Sequence, residues 1–107
     1  MIEVRDTLFS PQVLAIVDQA IEHYGSPAQM AKTKEECYEL IEAIDNLKQV
    51  RNVTTHNAAV DETADVLFTA LQMAKILGSE DVAERIMFKA RRLEKRILDT
   101  HAQPCSQ

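Results

Sequence analysis

Two segments, Glu36-Cys37-Tyr38-Glu39 and Glu62-Thr63-Ala64-Asp65, decide how this chain is read. Each sets two acids three residues apart within a stretch whose apolar residues recur with a helical period. On a helix that spacing puts both side chains on one face, with roots roughly 5–6 Å apart. Like charges at that distance disfavour an isolated helix, and two such pairs on neighbouring helices disfavour it further unless something positive lies between them. Four carboxylates converging from two helices make a site for a hard divalent cation, which takes oxygen ligands and keeps positions for water or phosphate.

Working outward, the punctuation divides the chain into four helices. Ser10-Pro11 supplies a cap and a first-turn proline for a helix to about His23, ended by Gly25. Ser26-Pro27 repeats the signal for a second helix, to about Leu47. The β-branched and polar stretch Val50–Thr55 lacks periodicity and is expected to be a loop. A third helix is expected from about Asn57 to Leu77, stopped by Gly78. Ser79 is the expected cap of a fourth, with Glu80 and Asp81 in its first turn, running to about Thr100. The reading is an all-α, four-helix bundle-like and oligomeric fold: a single domain over residues 1–100, then a flexible tail, 101–107.

Rotation by 100° per residue places the charges. In the second helix Met30, Cys37, Leu40, Ile41, Ile44 and Leu47 form an apolar stripe, with Glu36 and Glu39 at its edge beside Gln29 and Lys32. Gln29 is the expected polar substrate contact there, while Glu35 and Glu42 point further out. The third helix is apolar almost all round, apart from a strip of Glu62, Asp65, Thr69 and Gln72. A helix so apolar is expected to be buried on most sides, and buried carboxylates need partners. In the fourth helix Arg85, Lys89, Arg92 and Arg96 share one sector, a spacing suited to a row of phosphates.

Composition narrows the class. The chain has 107 residues, two Gly, three Pro and no Trp, a helix-favouring mixture. Its net charge of -5 argues against general nucleic-acid binding. Eight of the 17 acids fall in Glu35–Asp65 and five of the 12 bases between Lys89 and Arg96, so opposite charges separate along the chain. Cys37 and Cys105 form no C-x-x-C; a buried thiol and a free tail thiol in a reducing compartment are expected. Without a signal-peptide pattern or an apolar run near the roughly 20 residues of a membrane span, the expected location is the cytoplasm.

The two acidic pairs, 22 residues apart, resemble the signature of the MazG-type all-α nucleoside triphosphate pyrophosphohydrolases. The likeness covers roughly residues 25–97. Lys34-Glu35-Glu36-Cys37-Tyr38-Glu39-Leu40 with Ala43-Ile44 is similar to the family's first metal helix, and Asp61-Glu62-Thr63-Ala64-Asp65-Val66-Leu67-Phe68 to its second. Lys89–Arg96 is similar to its basic helix, although no Asn occurs there, a departure from many members. The resemblance implies hydrolysis of a nucleoside triphosphate to monophosphate and pyrophosphate, with Mg²⁺ as cofactor and Mn²⁺ as a substitute. It implies metal ligation by Glu36, Glu39, Glu62 and Asp65, a role for Glu35 near the attacking water, and phosphate contacts from Lys89, Arg92 and Arg96. The family includes dUTP-, dCTP- and phosphoribosyl-ATP-cleaving branches.

The chemistry suits these residue types. A free carboxylate, Glu35 or Glu39, can take the proton of a water that attacks phosphorus. A di-iron or di-manganese bundle would use E-x-x-H steps, and neither His23 nor His56 falls at ligand spacing. A non-enzymatic helical adaptor would leave Glu62 and Asp65 unexplained inside an apolar helix. Exposure of Leu67, Phe68 and Leu71 is expected to drive a homodimer or homotetramer, in which one copy's basic stripe reaches another's acids.

Overall fold

The computed structural model describes residues 9–102 and the side chains of residues 9–100. Its helices are α1 (Pro11–Tyr24), α2 (Ser26–Gln49), α3 (Val53–Leu77) and α4 (Ser79–Ala102). No strand occurs among the described residues, in agreement with an all-α reading. Cys105 and the tail beyond Ala102 lie outside them. The chain divides after Ile76 into two compact units, the first built from α1, α2 and α3 and the second from α4.

The helix ends show which local signals act. Ser10 caps α1 as expected, its hydroxyl accepting from the Val13 N–H at 3.2 Å, with Pro11 in the first turn. Gly25 then serves two helices. Its N–H donates to the Ile21 carbonyl at 2.8 Å, and its own carbonyl accepts the Gln29 N–H at 3.2 Å. Ser26 is therefore already helical and makes no side-chain cap. Likewise α4 starts at Ser79 itself, with Gly78 accepting the Val82 N–H at 3.2 Å. Only Val50, Arg51 and Asn52 separate α2 from α3, so α3 starts four residues before the expected Asn57. Asn52 and Thr55 explain this. The Thr55 N–H donates to Asn52 Oδ1 at 2.9 Å and the Asn52 N–H to Thr55 Oγ1 at 3.0 Å, a reciprocal cap that outweighs the low helix propensity of Val53, Thr54 and Thr55.

Within the first unit α2 and α3 run antiparallel along a seam. The Thr33 hydroxyl bonds its own helix at the Gln29 carbonyl, 2.8 Å away, with the Thr69 carbonyl of α3 as a second acceptor at 3.3 Å. One turn along from that contact Glu36 meets Asp65, and on its other side Gln29 and Gln72 are both buried. Asp18 of α1 pairs with Lys75 of α3 at 3.3 Å, which ties the remaining helix to the seam.

The seam bears out the burial expected for the acids of α3 but not the cover expected around them. The strip Glu62, Asp65, Thr69 and Gln72 turns inward, with Thr69 and Gln72 buried. Of the apolar flanks, Val60 is 56% and Leu67 38% exposed. On α2, similarly, Gln29, Glu36 and Ala43 are buried, whereas Met30, Ile41 and Ile44 are exposed. Cys37 is an exposed thiol rather than a buried one. Of the three residues expected to form an apolar patch, only Leu67 is exposed, since Phe68 and Leu71 are half-buried.

In the second unit Arg85, Lys89, Arg92 and Arg96 are all exposed along α4. The guanidinium carbons of Arg85 and Arg92 lie 4.6 and 5.8 Å from the Phe88 ring centroid, and these cation–π contacts hold two members of the stripe near the ring.

Gly25 has φ 87° and ψ 154°, a conformation open to glycine alone. A Cβ there would meet nothing nearer than Pro27 Cδ at 3.9 Å, so any penalty comes from the backbone. Gly25→Ala is expected to destabilise the protein by about 1–3 kcal/mol, read as a lower midpoint in urea with an unchanged slope.

Candidate active site

The seam brings five acids together at one end. Glu35, Glu36 and Glu39 form one set whose carboxylate oxygens lie within 4.8 Å of one another, and Glu36, Glu62 and Asp65 form a second. The four acids of the two motifs thus do not make one ring. Glu36 belongs to both sets, while Glu39 stands with Glu35. Helix phase accounts for this: Glu36 and Asp65 point along the seam, whereas Glu35 and Glu39 lie on the exposed rim. Glu42 is exposed and belongs to neither set.

Lys32 is the cation within ion-pair distance of the group among the described residues. Its Nζ lies 3.4 Å from Glu35 Oε1 and 3.8 Å from Glu36 Oε1. Glu35 above all, then Glu36, raises the Lys32 pKa and keeps the ammonium charged. One lysine does not offset five acids. The Glu36 carboxyl is pushed up to about 7, first by its hydrogen bond with Glu39, then by burial and by the contact with Asp65. Burial, followed by the charges of Glu39, Asp65 and Asp61, also raises Glu62.

These residues fit a divalent cation on their own chemistry. The donors are all carboxylate oxygens, the set preferred by hard cations. Glu62 Oε2 is buried without a hydrogen-bond partner, a state that a cation would relieve.

Beside the acids opens a cleft of about 460 Å³ lined by Glu36, Asp65 and Lys32 and by residues from all three helices of the unit. Gln29 lines it and is buried, consistent with its position on the acidic edge. Lys89, Arg92 and Arg96 lie on α4, in the second unit. Sequence reasoning gave no role in the site to Lys32, Tyr24 or Gln72, and read Phe68 as part of an association surface. For Lys32 the signal was present, because it precedes Glu35 and Glu36 by three and four residues, the spacing of helical ion pairs. Tyr24 left no such signal, since its place depends on how α1 packs.

The family model for the MazG nucleotide pyrophosphohydrolase domain matches residues 25–98, which include both acidic motifs and most of α4. Comparison with curated proteins gives no match, nor does comparison with solved structures.

The shifted Glu36 has a measurable consequence. The folded chain keeps this proton up to about pH 7, whereas the unfolded chain releases it near its ordinary value of 4.5. The folded state therefore binds more protons between those values, and the contribution to stability, complete below the lower value, is lost as pH rises through the upper one. In EDTA the melting temperature of the wild type is expected to fall, relative to Glu36→Gln, between about pH 5 and about pH 7.5. Parallel curves for the two proteins would place that proton elsewhere.

Proposed function

The chain belongs to the MazG nucleotide pyrophosphohydrolase domain family, and on that premise we propose that it hydrolyses a nucleoside triphosphate to the monophosphate and pyrophosphate with Mg²⁺, Mn²⁺ substituting. The observation that carries the reading is the pair of three-carboxylate sets sharing Glu36 at the edge of the cleft.

Glu36, Glu39, Glu62 and Asp65 are the proposed metal ligands. A bound Mg²⁺ would supply charge neutralisation for the phosphate oxygens and acidify water. The chain's own residues do the rest. Glu35 or Glu39, both on the exposed rim, accepts the proton of the attacking water as its oxygen bonds to phosphorus and pyrophosphate departs. Lys32 is held beside the acids by Glu35 and balances part of their charge before substrate arrives. Gln29 is proposed to contact the nucleotide in the cleft, and Lys89, Arg92 and Arg96 to bind its phosphates.

Residues 1–100 are proposed to act as one catalytic domain, with 101–107 as a tail. Among the described residues no helix is long and apolar enough to cross a membrane. The cytoplasm, where nucleoside triphosphates are kept, is the proposed location. Neither nucleic acid nor membrane is a proposed partner. Assembly as a homodimer or homotetramer is supported by the exposed apolar residues Ile41, Ile44, Val60 and Leu67 of α2 and α3.

Three outcomes are expected. The purified protein releases pyrophosphate, not orthophosphate, from at least one common (d)NTP with Mg²⁺, and EDTA abolishes the release. Glu36→Gln, Glu39→Gln, Glu62→Gln and Asp65→Asn each lower kcat/KM by more than about a hundredfold, beyond the usual effect of removing a supporting partner. Glu42→Gln is nearly silent, so equal small effects across all five would overturn the assignment. Light scattering over a dilution series should return a mass of two or four copies, and a stable, active monomer would overturn the assembly.

A further inference from the structure

The cleft extends past the acids. Tyr24 of α1 and Phe68 of α3 add aromatic surface to it, and Gln72 lines it. Gln72 stands seven residues beyond Asp65, two turns along the same helix face and about 10 Å away. That is of the order of the separation between a nucleotide's base and its phosphates. Gln72 is 3% exposed, and its Oε1 is buried with no hydrogen-bond partner. A folded protein rarely keeps a buried amide oxygen unpaired, and where it does an unseen partner is the usual reason. A second buried amide, Gln29, lines the same cleft.

Resting on the reading above, we propose that Gln72 selects the base: its amide hydrogen-bonds the Watson–Crick edge of a nucleobase lying against Tyr24 and Phe68. An amide carries one acceptor and one donor group side by side, and close packing around Gln72, 3% exposed, holds them in one order. The edge of a nucleobase offers the complementary pair, and the aromatic side chains give its π-face a surface to stack on. The metal-ligating acids then fix the phosphate end of the substrate, while the amide fixes the base end. Discrimination arises because a base with the wrong edge leaves the buried amide unpaired, which is the more selective arrangement.

The test compares wild type, Gln72→Leu and Gln72→Glu on triphosphates of the common bases with Mg²⁺, and on the matching monophosphates by calorimetry in EDTA. Wild type is expected to favour one base by at least about tenfold. Gln72→Leu should bring all bases within about threefold through KM, with Mn²⁺ affinity unchanged and a melting temperature equal or higher, because an unpaired oxygen has been removed. Gln72→Glu, which retains the shape without the N–H donors, should shift preference toward bases with an exocyclic amino group and serves if the leucine variant does not fold. A wild-type ranking retained in both variants, or a wild type indifferent to base, overturns the proposal. Monophosphate binding needs no catalysis. If wild type cleaves nothing yet binds monophosphates with a ranking that Gln72→Leu erases, the hydrolase reading fails and the base site stands.

Discussion

Repulsion among carboxylates on the seam between α2 and α3 is the constraint to which the first unit is built. The buried polar residues among those described are Gln29, Glu36, Thr69 and Gln72, all on that seam, whereas the buried apolar ones are Val17 and Ala43. Burying a carboxylate is unfavourable unless it is neutralised or paired. The chain uses both means: Glu36 tends to hold a proton, and Lys32 leans over its rim. Stability has to come from elsewhere, from the shared glycine cap, the Asn52–Thr55 cap, the Asp18–Lys75 pair and half-buried apolar contacts around the seam. A protein selected for stability alone would fill such a seam with leucine.

Much of this was legible in the residues. Gly25, Gly78 and the two Ser-Pro steps mark helix limits because each acts within one turn, where sequence neighbours are spatial neighbours. The motif spacing likewise placed each pair of acids on one helix face. Propensity failed at the start of α3, where three β-branched residues read as a loop and a two-residue cap overrode them. The inward turn of the acids on α3 was legible, because a helix so apolar leaves its carboxylates little room outside. Periodicity overstated the cover on the apolar flanks instead: Val60 and Leu67 are exposed, and so is Cys37 on α2. A site that needs buried charge is where a pattern learned from ordinary cores should break. The cleft depends on tertiary packing, so Tyr24 could not have been assigned from neighbours along the chain.

Lys32 gives the acidic group a character that the carboxylates alone would lack. Its side chain is 52% exposed and its ammonium is paired with Glu35, itself on the rim. A flexible, partly solvated cation of this kind is exchangeable: it moderates repulsion while the acids stand alone and can turn away when a stronger charge arrives. The buried oxygen of Glu62 has no such partner among the described residues. The group is thus uneven, compensated on its outer side and left open on its inner side.

The Asn52–Thr55 cap has a consequence for how the family's chains can vary in length. Thr55 to Glu62 is seven residues, two helical turns, and everything from Glu62 to Gln72 inherits its azimuth from that run. Losing or gaining one residue there would rotate the downstream face by about 100° and swing the acids and the amide off the seam together. Val50 and Arg51, ahead of the cap, carry no such phase, because the helix is reset at Asn52. Insertions and deletions should therefore be confined to that stretch and excluded from the helix beyond it, whatever side chains are involved.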